Sequence, residues 1–289
     1  MLSLQDYTTL FVTGASQGCA YGLIALGFVL IYKATEVVNF AHGEFMMLGA
    51  FAAITLTSLF GFWPGLICAV LAVGTVGYLL DAVVMRRIIG QSQTSVFILT
   101  VAFGFIFRSI AGMIWGWDLL SLSTPFSGSF DMGSVAIRSD RIAIIVLTVV
   151  MCAGLFFFFA RSRLGVAMQA ASQNQLAAYY MGIPVKRLVS IVWAIGAMIA
   201  ALAGVFNAPL TQVDTQIGAL GLKALAGAVI GGFGSIPGAL LGCLLIGVAE
   251  PFADYFLPAI KGVSAYILML VVLFIKPEGL IVQTFQKKV

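Results

Sequence analysis

Charged residues make up only 9% of this 289-residue chain, and hydrophobic ones 61%. Soluble domains carry roughly 25% and about 45–50%, which excludes water as the main solvent of the fold. Histidine occurs once, at His42, and the four cysteines, Cys19, Cys68, Cys152 and Cys243, stand far apart in apolar stretches without C-x-x-C spacing. A histidine–cysteine metal centre or a redox pair is not expected, and the thiols read as small buried hydrophobes. The sequence contains no G-x-x-x-x-G-K-[ST] run, so it has no P-loop of its own for ATP. No carboxylate pair or nucleophile–base set supports an enzyme. Basic residues form no stripe; they sit at the ends of apolar segments, so the net charge of +4 reports topology rather than a nucleic-acid partner. No Lys or Arg precedes the first apolar segment, so a cleaved signal is not expected there.

What the chain does have is a succession of apolar stretches of about 20 residues, the length a helix needs to cross roughly 30 Å of hydrocarbon. Simple crossings are predicted over 10–32, 64–84, 94–115, 141–160, 188–208 and 259–275. The stretch 44–60 is slightly short and follows a polar run, and 222–250 is interrupted by Gly231-Gly232-Phe233-Gly234-Ser235-Ile236-Pro237-Gly238. The expected fold is an all-α polytopic transmembrane bundle of about eight segments, a single transmembrane domain over 1–289. Lys33, Arg86, Arg87, Arg161, Arg163, Lys186 and Arg187, with the C-terminal lysines, belong on the cytoplasmic side, which leaves 115–140 outside. That count requires 222–250 to enter and leave on the same outer side. Each arm is about 13 residues, near 20 Å, too short to span alone, so two partial helices meeting at the glycine-rich break are expected. Irregular backbone at membrane depth is tolerated only where it is buried in protein or lines a cavity, which makes Gly231, Gly232 and Gly234 candidates for the transport pathway. Close packing explains the same glycines equally well, because small residues recur every four positions here, at Gly227, Gly231 and at Gly234, Gly238, Gly242; similar ladders at Gly14, Gly18, Gly22 and at Gly196, Ala200, Gly204 read as helix contact faces.

Ionisable groups inside a membrane are costly and seldom occur there without a partner or a role. Asn39, His42, Gly43 and Glu44, in the run Asn-Phe-Ala-His-Gly-Glu, are therefore a second candidate for a cavity or gate, with hydrogen bonding to a neighbouring helix near the cytoplasmic surface as the structural alternative. Arg108, inside 94–115, is expected to snorkel outward or to pair with a carboxylate such as Asp118. In the cytoplasmic loop at about 161–187, Ser172-Gln173-Asn174-Gln175 has the form of a capping box, and Gly182 with Pro184 supplies a stop. A helix over 173–181 follows, too short to span, with an apolar and aromatic surface (Leu176, Ala177, Ala178, Tyr179, Tyr180, Met181) suited to docking a partner or to lying on membrane lipid.

Three blocks in order resemble the permeases of branched-chain amino-acid ABC importers, the LivH type. They are Asn39-Phe40-Ala41-His42-Gly43-Glu44, then Arg161-Ser162-Arg163-Leu164-Gly165 running on to Ala177-Ala178-Tyr179-Tyr180-Met181-Gly182-Ile183, and Gly231 to Ala239; the closing Pro277-Glu278-Gly279-Leu280 is also similar. The resemblance implies a multi-pass protein of the bacterial inner membrane. It implies pairing with a homologous second permease subunit, two cytoplasmic ATPase subunits that bind the ATP, and a periplasmic substrate-binding protein. It further implies that Gln175, Ala177, Ala178, Tyr179 and Gly182 belong to the element that couples to the ATPase, with Gln175 standing where an acidic residue is often found. Such proteins carry leucine, isoleucine and valine, or urea, short amides and aromatic acids; no cofactor is expected in this chain. An ion-coupled carrier or channel for a small solute is the rival from another class, since broken helices suit it too.

Overall fold

The computed structural model describes residues 4–88, 92–126, 128–132, 135–173 and 175–281; the side chains at 4, 130–132, 135–137, 172, 175 and 176 fall outside that description. Among the described residues, seven helices are long and apolar enough to cross a membrane. They are α1 (Leu4–Thr35), α2 (His42–Phe60), α3 (Phe62–Ile88), α4 (Gln93–Trp115), α5 (Ser139–Arg161), α8 (Val185–Thr211) and α10 (Ile236–Phe256). Between them come α6 (Arg163–Gln173) and α7 (Gln175–Tyr180) on one side, and the half-length α9 (Leu220–Gly231) and α11 (Ser264–Ile275). The expected all-α bundle is present. A small antiparallel hairpin, β1 (Ser129–Met132) with β2 (Val135–Arg138), decorates the loop before α5.

α1 is the hub: 89% of its most apolar window is buried by other helices, against 17% for α5. Its glycine ladder explains how. A methyl group placed on Gly14 would lie 2.7 Å from Val248 Cα, and one on Gly18 would lie 2.8 Å from Leu244 Cα, so α1 and α10 run antiparallel with their backbones nearly touching. On the opposite side, Gly196 of α8 meets the Ile31 side chain at 2.9 Å by the same measure. Gly227 and Gly242 close the seam between α9 and α10. In lipid, where the hydrophobic effect does not drive helices together, such close approach is what dispersion and packing require.

The glycine-rich break departs from expectation in length and in place. Its second arm, α10, has 21 residues, about 31 Å, and spans alone; only the first arm, α9, is a partial helix. The expected stretch ends at Glu250, yet α10 continues through Pro251 to Phe256. The break itself lies at the cytoplasmic end of the bundle: Tyr32, in the last turn of α1, packs edge-on against Phe233, and the Gly232 backbone meets Glu278 and Ile281 beside the cytoplasmic C-terminal segment. Gly232 ends α9 with φ +100°, a conformation that needs glycine, and the Ser235 hydroxyl then accepts from Gly238 N–H at 3.1 Å to start α10. The chain still leaves and re-enters the outer side at 211 and 256, because residues 212–219 descend without a full helix before α9 begins.

Two further boundaries differ. The backbone of Ser172 lies in the last turn of α6 rather than ahead of a helix start; α6 itself begins at a Ser162 hydroxyl that accepts from Gly165 N–H at 2.8 Å. Gln175 begins α7, but the side chains that would form the expected box lie outside the described residues. Gly182 does take the left-handed conformation, with φ +82°. Of the cysteines, Cys19 and Cys243 are buried and Cys152 partly so, whereas Cys68 is exposed on the surface of α3.

The cytoplasmic bases gather at one end, where Arg86 donates to the Lys186 carbonyl at 3.0 Å. At the other end, Leu120 and Val213 exchange backbone hydrogen bonds of 2.8 Å, tying the loop after α4 to the one after α8. A topology test follows. In a cysteine-free background, a thiol introduced at Ser121 should react with an impermeant reagent in intact cells and one at Tyr180 only after permeabilisation; the reverse pattern would invert the orientation.

Candidate functional site

α2 does not begin at the membrane surface. A methyl group on Gly27 would lie 2.5 Å from the His42 ring, and Gly27 stands eight residues, about 12 Å, before the end of α1. The chain therefore turns back from Thr35 through Glu36–Ala41 and starts α2 at mid-membrane depth. Asn39 makes the turn: its Oδ1 accepts from Ala41 N–H at 3.0 Å and its carbonyl from His42 N–H at 3.1 Å. His42 itself is fully buried, its ring 4.5 Å from that of Phe28 and edge-on to Phe45. It packs the turn against α1 rather than facing an opening.

A second helix start arrives at the same depth. The turn Ile217–Ala219 leads into α9, and there Gly43 and Gly221 touch backbone to backbone, with Gly43 Cα 2.7 Å from a methyl group placed on Gly221. Two N-termini, each with its partial positive charge, thus converge at mid-membrane. Glu44, in the first turn of α2, supplies the anion such a place favours: a methyl group on Gly218 would lie 2.5 Å from its Oε2. From α4, Arg108 Nη2 donates to Glu44 Oε1 at 2.5 Å and Nη1 donates to Gln216 Oε1 at 3.2 Å. Arg108 therefore pairs with Glu44, not with Asp118, and does not snorkel. The cluster is incompletely satisfied: Glu44 Oε2 and Arg108 Nε are buried and have no hydrogen-bond partner among the described residues. Buried polar atoms left open in this way call for a polar guest.

Below this cluster a cavity of about 470 Å³ opens toward the cytoplasmic end, lined among others by Tyr32, Phe40, Asp81, Gln93, Phe97 and Trp193. Asp81 lies in a π-helical stretch of α3, Leu80–Met85, where one extra residue per turn re-aims the side chains. Asp81 Oδ2 accepts from the Ser190 hydroxyl at 2.6 Å, and Arg86 donates to that hydroxyl at 2.6 Å and to the Lys186 carbonyl. This joint ties α3 to the first turns of α8, directly after the cytoplasmic connector.

The connector presents the other candidate residues. Ala178 is buried, and the Ile183 N–H donates to its carbonyl at 3.0 Å, while Ala177 is exposed. Tyr179 is exposed, and the tip beyond it is more so, Tyr180 at 82% and Met181 at 83%. Of the sequence-predicted pathway residues, Asn39, His42, Gly43 and Glu44 come together; Gly231, Gly232 and Gly234 do not join them and stand at the cytoplasmic end. There a methyl group on Gly231 would lie 2.6 Å from Ala239 N, while nothing lies within 4 Å of one on Gly234.

Sequence reasoning missed Arg108 as Glu44's partner, together with Gln216 and Gly218. It also missed a second membrane-embedded pair, Lys223 Nζ to Glu250 Oε1, in which the Tyr21 hydroxyl donates to Glu250 Oε2 at 2.8 Å. The available signal was that Lys223 and Glu250 are opposite charges in the two arms of one apolar hairpin.

Comparison with known proteins agrees with this architecture. The family described as branched-chain amino acid transport system / permease component matches residues 10–274. The chain is 33% identical over 299 residues to the high-affinity branched-chain amino acid transport system permease protein BraD of Pseudomonas aeruginosa, covering 97% of each. It is 29% identical over 286 residues to the permease protein LivH of Escherichia coli, covering 93% of each. A solved chain of PsaBC from Streptococcus pneumoniae, in complex with Fab, has the same fold at TM-score 0.51 with 15% identity, over 94% of this chain and 92% of that one. With the family matched over residues 10–274 and a relative 33% identical across 97% of each chain, this chain belongs to the branched-chain amino acid transport permease family.

Proposed function

We propose that this chain is the membrane-spanning subunit of an ATP-driven importer that carries branched-chain amino acids, working beside a homologous second permease, two cytoplasmic ATPase subunits that bind the ATP, and a periplasmic binding protein. The relatives that match over nearly its full length carry that solute class in their names. The observation that carries the reading is the cytoplasmic connector: an anchored Ala178 beneath a bare tip of Tyr179, Tyr180 and Met181. An aromatic and methionine surface of this kind, without a charge of its own, suits burial in a protein groove better than life in water. A push on it reaches α8 through Pro184 and α3 through the Arg86–Ser190–Asp81 joint, and so reaches the cavity under the Glu44–Arg108 cluster. The half-helix N-termini there offer a place for the solute's carboxylate, and the apolar walls below suit its side chain.

Coupling is tested with the assembled complex. Tyr180→Asp combined with Met181→Asp should lower solute-stimulated ATP hydrolysis at least about tenfold, the loss expected when an interface anchor worth 1.4 kcal/mol or more is removed. Membrane insertion should be unaffected, because both residues are exposed. Unchanged stimulation would remove the docking reading, and full-rate uptake by the chain without any ATPase would replace it with a carrier or channel.

A further inference from the structure

A larger cavity, of about 690 Å³, lies apart from the one beneath Glu44 and Arg108. It sits between α1, α5, α6 and α10, lined by Lys33, Phe156, Phe159, Met168, Pro237 and Leu240, with the Gln169 and Gln173 amides at its edge. The walls are apolar, and no carboxylate lines them. Lys33, in the last turn of α1, is the cavity's one cation; no carboxylate among the described residues pairs with it. The cavity is therefore at the cytoplasmic leaflet, the side to which Lys33 belongs.

We propose that this cavity is a site for one anionic phospholipid, its acyl chain against the aromatic and aliphatic wall and its phosphate on Lys33. Three observations choose a lipid as the occupant. α5, which forms one wall, is the least buried of the seven long helices at 17%, and Phe156 beside the cavity is 76% exposed, so the opening faces the bilayer. The volume is within the range of about 300–1,000 Å³ that holds a ligand of moderate size. A lone ammonium in an apolar pocket between helices, on the cytoplasmic side, has the complementary charge for an acidic headgroup. Arg161 and Arg163, exposed at the α5–α6 corner, add positive field at the same level. Since α6 contributes Met168, Gln169 and Gln173 and leads straight into α7, an occupied cavity would hold the root of the connector against α1 and α10.

The test uses the assembled importer, titrated with dioleoylphosphatidylglycerol or dioleoylphosphatidylcholine and read by native mass spectrometry. The expected result is one tightly held phosphatidylglycerol per permease chain, weakened about tenfold or more in Lys33→Gln, kept in Lys33→Arg, and without a counterpart for the choline lipid. Ala153→Phe, which fills the cavity and leaves the charge, should weaken it likewise. A photoactivatable phosphatidylglycerol should label the segments 152–160 and 168–173. Equal retention by Lys33→Gln, equal binding of both lipids, or crosslinks from this cavity to a second permease subunit or to leucine in place of lipid would each overturn the proposal.

Discussion

Arg108→Ala is expected to abolish most solute uptake and to destabilise the chain by about 3–5 kcal/mol, the usual cost of leaving one partner of a buried ion pair alone. Glu44 is 6% exposed and sits where two helix starts meet, so without Arg108 it has no ion-pair partner among the described residues. Two consequences are then mixed, lost folding and lost transport, and a second variant separates them. Glu44→Leu with Arg108→Met removes both charges at similar volume, which is often neutral or stabilising for a buried pair. Thermal stability measured in detergent should return to near the parent value. Uptake should stay at least about tenfold down, because the charges that would meet the solute's ammonium and carboxylate groups are gone. Recovery of uptake together with stability would make the pair a structural staple and move the pathway elsewhere.

How much of this was legible in sequence depends on whether the signal was local. The polar entry into α2 could be seen in Asn39 to Glu44, because a polar run is a property of adjacent residues; that Asn39 caps a turn at mid-membrane depth could not. That Glu44 meets Arg108, 64 positions later, and that Gly218 must lack a side chain to leave room for its carboxylate, could not, since neither shows any periodicity. The glycine ladder of α1 was readable as a contact face, and the backbone distances to α10 agree. The broken hairpin was half readable. Gly232 and Ser235 mark the break, but the apolar run judged to stop at Glu250 continues as helix through Pro251, since a proline inside a transmembrane helix is tolerated when neighbours satisfy the freed carbonyl. With the second arm taken as short, the break was placed at depth, whereas a full-length α10 carries it to the cytoplasmic surface. The connector was half readable: the single helix expected over 173–181 is α7, Gln175–Tyr180, while the separate α6 before it, Arg163–Gln173, with Ser162 at its start, was not foreseen.

The second large effect is expected at Glu250. Lys223 stands in the first turn of α9 and reaches Glu250 of α10, whose other oxygen takes the Tyr21 hydroxyl from α1; the Lys223 ammonium also lies 6.0 Å from the Tyr21 ring. α9 is only 12 residues, about 18 Å; the Gly227–Gly242 seam holds its later turns against α10, while its start, in mid-membrane after the short turn Ile217–Ala219, is fixed by this knot and the Gly43–Gly221 contact. Glu250→Ala leaves Lys223 charged and without its carboxylate, again at about 3–5 kcal/mol, and frees the very helix start that frames Glu44. Uptake should fall with it, although Glu250 touches neither Arg108 nor the cytoplasmic cavity. Glu250→Gln keeps one oxygen to accept from Lys223 and an amide NH2 that can donate to the Tyr21 hydroxyl oxygen, so it should keep α9 in place and retain far more uptake than the alanine variant. Accessibility of a cysteine introduced at Gln216, read by thiol labelling in purified membranes, would report the displacement: increased in Glu250→Ala and unchanged in Glu250→Gln. Equal loss in both variants with Gln216 unmoved would mean that the carboxylate's charge acts directly on the solute, and the knot would have to be counted as part of the pathway rather than its support.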